Sequence, residues 1–196
     1  MTTGEMILAT GALVLLGTTV LTVNKNNTNQ GTILRQTEIG IYAVSLATSY
    51  VEKASALNFD EYTVGNFITN HVTDSLTAPS KLGPDLTHTT GPYGTEKANV
   101  DSTYDDFDDY NGFNYVTIVQ GADAFTTNIA VHYCDTAGAI YSNSGTTKTF
   151  YKRMDVQTWG TVTRGSFEGI ESNGTSTRSG VDTIKLSYIF SYIYKM

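Results

Sequence analysis

Five aspartates between Asp101 and Asp109, four of them set in the run Tyr104-Asp105-Asp106-Phe107-Asp108-Asp109-Tyr110-Asn111-Gly112-Phe113, are the densest group of chemistry-bearing side chains in the sequence. Several carboxylates in one loop are the donor set of a hard divalent cation such as Ca²⁺. An EF-hand loop needs Asp or Asn at its first, third and fifth positions and then Gly, and the run from Asp106 to Gly112 puts Asp109 and Asn111 out of that phase. Asp101 to Asp109 is therefore read as a solvated, turn-forming loop rather than a metal site. Paired acid and base chemistry is set aside on the same ground, since adjacent flexible acids are normally solvated alike.

The remaining reactive types are sparse. His132 and Cys134 alternate on a predicted strand and so share a face, but Zn²⁺ takes three or four protein ligands and His71 and His88 stand apart. A buried cysteine beside a hydrogen-bonded histidine is the expectation. Ser176, in Gly174-Thr175-Ser176-Thr177-Arg178, lacks the second glycine and the strand-to-helix setting of a nucleophile elbow. No phosphate-cradling or dinucleotide-binding glycine pattern occurs. No catalytic, cofactor-binding or metal-ligating residue is nominated, and the chain reads as a non-enzyme without a cofactor. The 13 tyrosines are expected mostly to pack sheet faces, with Tyr93, Tyr104 and Tyr141 in surface loops that neighbouring subunits can meet.

The element best defined by the sequence is the uncharged stretch Met6 to Val23, preceded by Glu5 and by no Lys or Arg. Eighteen helical residues at about 1.5 Å each reach roughly the ~30 Å of a bilayer's hydrocarbon core. A secretory signal needs a basic segment before its apolar part, and an acid stands there instead. A carboxylate at the edge of a span needs a partner. The unpaired N–H groups of a first helical turn are one, and a terminal amine at Met1, of the same chain or of a neighbour in a staggered bundle, is the other.

Met1, Glu5, the apolar stretch Met6 to Val23 and its helical continuation to about Leu57 resemble the mature form of the type IV pilins and pseudopilins. The resemblance implies removal of a leader by a prepilin peptidase, N-methylation of residue 1, an inner-membrane location before assembly, and packing of helices into a filament core by a pilus assembly machinery. The run from Tyr104 to Phe113 is similar to a segment that precedes the first strand in some pilin-like heads. The sequence departs from the family in Thr3-Gly4, which replaces a bulkier apolar pair, and in Thr22, where a proline is common. It departs also in its single cysteine, Cys134, which cannot close the C-terminal loop that many pilins bridge.

The organisation follows: a helix over 1–57, divided into a membrane or filament-core segment 1–31 and an amphipathic half 32–57, then a β-rich head over 58–196. The formal charge of −7 lies entirely in the head, because Glu5, Glu38 and Glu52 balance Lys25, Arg35 and Lys53. No basic stripe suits a phosphate backbone, and nucleic acid is not an expected partner. Asn24 to Gly31 is poor in interior helix formers, and with Gly11, Gly17 and Thr18-Thr19-Val20 it predicts a weak helix, with local unwinding between Gly17 and Gly31 in an assembled filament. From Ile33, Leu34, Ile41, Val44, Ala47, Tyr50, Val51, Ala54 and Leu57 an apolar face is expected to lie against a sheet. A short helix over Tyr62 to His71, a loop containing all three prolines, and strands over 113–120, 127–134, 148–159 and 181–194 complete the reading. The fold class is α+β: a long N-terminal helix packed on an antiparallel β-sheet head.

The function expected from all this is that of a structural subunit of an extracellular, helical, homo-oligomeric filament of the type IV pilus kind. The alternatives are a minor pilin or secretion pseudopilin and, from another class, a solitary membrane-anchored binding or enzymatic domain.

Overall fold

The computed structural model describes residues 2–65, 72–85, 96–119, 124–142, 145–161 and 183–192, with the backbone alone for 32, 35, 36 and 161. The chain forms two compact units, 1–41 and 42–196. It is α+β, with one long helix and a four-stranded antiparallel sheet.

In the first unit the helix α1, Thr3–Ser55, runs without interruption through the Asn-rich stretch expected to be weak and through Gly17 and Gly31. Extending a helix adds a hydrogen bond for each residue fixed, so a long helix carries poor formers that could not nucleate one. Threonine hydroxyls are absorbed into it: Thr10 donates to the Met6 and Ile7 carbonyls at 3.0 Å, Thr19 to Leu15 at 2.7 Å and Thr22 to Thr18 at 2.8 Å. Such back-bonding leaves no hydroxyl in need of water, which suits an apolar surround. Thr3–Gly31 is long and apolar enough to cross a membrane, and none of it is buried.

The second unit begins inside α1, at Tyr42, rather than at the 57/58 boundary drawn from the sequence, because the last turns of the helix pack with the head. Ala43, Ala47, Tyr50, Val51 and Ala54 are buried, a stripe at helical spacing in which small residues allow close approach. Ile33, Leu34, Ile41 and Val44 were expected on that face and are exposed instead. The buried stripe takes in Ala43 and passes beside Val44, so only the C-terminal turns of the amphipathic half serve the head.

Strands β1 (Asn114–Ile118), β2 (Ala124–Tyr133), β3 (Tyr151–Thr161) and β4 (Ile184–Ser191) form an antiparallel meander in chain order. β2 starts earlier than expected, because Ala124, Phe125 and Thr126 pair both with Ile118, Thr117 and Val116 of β1 and with Thr161, Gly160 and Trp159 of β3. β3 likewise runs on through Gly160 and Thr161, past the expected end at 159. Period-two alternation sets the faces. Phe125, Thr127, Ile129, Val131 and Tyr133 of β2, Met154 and Val156 of β3, and Leu186, Tyr188 and Phe190 of β4 face the helix side. Lys152 has the same parity as Met154 and is fully buried.

Between helix and sheet the regular structure among the described residues is single 3₁₀ turns. Where a helix was expected over Tyr62 to His71, the described part is one turn, Glu61–Thr63, and 66–71 lie outside the described residues. His71, His88, Tyr93 and Ser176 also lie outside them. After Cys134, a turn is fixed by the Asp135 carboxylate, which accepts from the Ala137 and Ala139 N–H groups at 2.8 Å. Gly138 there has φ +85°, and a Cβ on it would lie 2.9 Å from Ile189 Cδ1.

Candidate functional site

At the start of α1, Thr2 and Glu5 close the first turn upon themselves. The Thr2 carbonyl accepts from the Glu5 and Met6 N–H groups, and the Glu5 carboxylate accepts from the Thr2 N–H at 3.0 Å. This is the return half of a capping box, and it places the acid at the positive end of the helix dipole. Met1, the other half of the expected amine pair, lies outside the described residues. Glu5 is exposed, so its carboxylate remains accessible to a second donor.

In the head, the acidic tract corrects the sequence reading: Asp105, Asp106, Asp108 and Asp109 are buried, not solvated. The cause is the aromatic spacing. Tyr104, Phe107, Tyr110 and Phe113 recur every third residue, and the tract contains the 3₁₀ turns Asp101–Thr103 and Asp108–Tyr110, whose period of three turns such residues to one side. All four rings enter the main core with Tyr50, with centroids 5.1 Å apart for both Tyr104–Tyr110 and Tyr50–Phe113. Tyr104 is therefore a core residue, not a surface contact, and Tyr141 packs half-buried on the smaller core cluster. The aspartates are carried inside between the rings. Asn58 holds the tract from the helix side, donating from Nδ2 to the Asp105 carbonyl at 3.1 Å and accepting from the Phe107 N–H at 2.8 Å.

The buried carboxylates first satisfy the backbone. Asp106 Oδ1 accepts from the Asp108 and Asp109 N–H groups at 2.7 and 3.2 Å, and Asp109 Oδ2 from those of Asp105 and Asp106 at 3.1 and 3.0 Å. Asp60 caps the turn at Glu61 and accepts from the Tyr62 N–H, the Thr77 N–H and the Thr77 hydroxyl.

Lys152 reaches into this group from β3. Its Nζ donates to Asp60 Oδ2 at 2.7 Å, to the Phe59 carbonyl at 2.8 Å and to Asp108 Oδ1, and lies 4.7 Å from the centre of the Phe59 ring. Tyr133, paired with Lys152 across β2 and β3, donates its hydroxyl to the Thr77 carbonyl at 2.8 Å, with Asp60 Oδ2 3.2 Å away.

The charges sort themselves by environment. Burial works to raise the Asp60 pKa, but the charge and hydrogen bonds of Lys152, with the N–H groups of Thr77 and Tyr62, bring it below the ordinary value. Burial works to neutralise Lys152, and Asp108, Asp60 and Asp106 outweigh it and hold the ammonium charged. Burial and the neighbouring Asp108 and Asp109 push the Asp106 pKa well above the ordinary value. A charged ammonium has no lone pair, so Lys152 is not a nucleophile here. The arrangement is a structural ion pair that fixes β3 to the chain following the helix.

Further along the tract two trios of carboxylates lie close enough to share an ion, Glu61 with Asp105 and Asp106, and Glu96 with Asp105 and Asp109. Among the described residues no such group includes His132 or Cys134, and Cys134 is a buried free thiol whose pKa burial raises. No protein-family model, no curated protein and no solved structure matches the chain.

Proposed function

We propose that the chain is the structural subunit of an extracellular filament of the type IV pilus kind, anchored in the inner membrane until assembly and held in the filament by packing of its N-terminal helices. One observation carries the reading: a helix whose wholly exposed apolar segment, Thr3–Gly31, begins at the accessible acid Glu5 and continues unbroken into the turns that bury Ala47, Tyr50 and Ala54 in the head. An apolar helix leaving lipid for a bundle of equally apolar helices gains little from transfer alone, so association must come from close packing and from a few polar pairs. Gly4, Gly11, Gly17 and Gly31 each leave room on the helix surface, since nothing lies within 4 Å of a Cβ built on any of them. Glu5 supplies the polar pair if it takes the terminal amine of a neighbour, which sets the stagger between subunits. In the filament the helix is expected to unwind locally between Gly17 and Gly31, where its poorest helix formers lie.

Mass spectrometry of sheared surface filaments tests the reading. The chain is expected as their dominant protein with an N-methylated first residue. Recovery only as a membrane-bound monomer with an unmethylated terminus would overturn it.

A further inference from the structure

Glu96, Asp105 and Asp109 bring carboxylate oxygens within 4.8 Å of one another, and all three side chains are buried. Glu96 is 4% exposed, Asp105 5% and Asp109 2%. Part of this oxygen set is engaged by the backbone, Glu96 Oε2 by the Asp85 N–H at 2.6 Å and Asp109 Oδ2 by two N–H groups of the tract. Glu96 Oε1 and Asp105 Oδ1 have no hydrogen-bond partner. A buried oxygen without a donor is costly, and two of them on adjacent carboxylates are costlier still.

The contrast with the other end of the tract is informative. There Lys152 compensates Asp60 and Asp108. Among the described residues no ion pair with Lys or Arg reaches Glu96, Asp105 or Asp109. Nothing among the described residues supplies the positive charge these oxygens require, which leaves a bound cation or bound protons as its source.

We propose that Glu96, Asp105 and Asp109 bind one divalent cation of the calcium class. The donors are all oxygens, the set preferred by hard cations, with no imidazole or thiolate to favour zinc. Oxygens around Ca²⁺ at about 2.3–2.6 Å stand up to about 5 Å apart, which suits this spacing, whereas Mg²⁺ at about 2.0–2.1 Å needs a tighter octahedron and keeps its waters. The ion belongs to this trio rather than to the one with Glu61 and Asp106, because Glu61 is only half-buried and both orphan oxygens, Glu96 Oε1 and Asp105 Oδ1, are found together only here. Glu96 stands nine positions before Asp105, so the ion would tie the chain just before the tract to the core that Tyr104 and Tyr110 enter. The proposal does not depend on the filament reading.

The test uses the full chain in detergent, stripped with chelator, titrated with CaCl₂ by calorimetry and probed with Tb³⁺, whose emission on tyrosine excitation reports an ion near Tyr104. A single saturable Ca²⁺ site of about 10⁻³ M or tighter is expected, with Tb³⁺ emission displaced by Ca²⁺. Glu96→Gln and Asp105→Asn should each weaken it at least tenfold, while Glu61→Gln leaves it unchanged. Absence of saturable Ca²⁺ heat and of Tb³⁺ emission from the folded wild-type chain would overturn the proposal and assign the trio to shared protons. Undiminished binding in both Glu96→Gln and Asp105→Asn would overturn it as well. Should either variant misfold, the wild-type titration and its reversal by chelator decide alone.

Discussion

Lys152 Nζ lies 2.7 Å from Asp60 Oδ2 although 92 positions separate the two residues and neither side chain meets solvent. The pair joins a core-facing position of β3 to the first residues after the helix, and Asp108 completes it from the acidic tract. Removing one member of a buried ion pair costs more than the pair is worth, because the other charge is left uncompensated. Lys152→Met should therefore destabilise the head by about 3–5 kcal/mol in chemical denaturation. Adding Asp60→Asn and Asp108→Asn should restore part of the loss. A cost below about 1 kcal/mol for Lys152→Met would mean that the charge contributes nothing beyond a surface pair.

Burial, and after it a hydrogen bond with Glu96, hold the Asp109 carboxyl up at about 9 against an ordinary 3.8. Throughout that window the folded state keeps a proton that the unfolded state has lost, so stability falls as pH rises. In chelator the head should lose up to about 1.4 kcal/mol per pH unit from this group between about pH 4 and 9. Asp109→Asn should flatten the dependence. An equal slope in the variant would place the proton on another group.

Gly138 combines a φ of +85° with a Cβ direction that ends 2.9 Å from Ile189 Cδ1. Gly138→Ala should cost about 2 kcal/mol, from the left-handed backbone and the forced shift of Ile189. Pairing it with Ile189→Ala should relieve only the second part, so the two changes are not additive. Strict additivity in a denaturation cycle would show that the methyl finds room without moving Ile189.

The observed donor to the Glu5 carboxylate is the Thr2 N–H. Glu5→Ala should leave the denaturation midpoint of the head unchanged and lower the yield of sheared filaments at least tenfold. Filaments at wild-type yield would rule out Glu5 as the register-setting residue.

The elements with strict local periods were legible in the sequence. Leu186, Tyr188 and Phe190 alternate inward as the period of β4 predicts, and Ala47, Tyr50, Val51 and Ala54 lie buried at the expected helical spacing. The acidic tract was not, because charge density was weighed without the rings between the charges. Tyr104, Phe107, Tyr110 and Phe113 at intervals of three were the signal that this loop is pulled into the core. Lys152 also had a readable sign, its shared parity with Met154 and Val156, but a lysine on an inner face reveals nothing of its partners. Asp60 and Asp108 meet it only because the meander and the helix end converge, and no spacing along the chain encodes that meeting. The orphan oxygens of Glu96 and Asp105, nine positions apart, follow from no periodic pattern either.

Cys134, alone and sealed within the head, has a further implication. A domain closed by ring stacking, sheet pairing and an internal lysine takes the same shape whether its surroundings are reducing or oxidising. Such a domain needs no thiol oxidase to reach its fold, and reductants that unravel disulfide-bridged proteins should leave it intact.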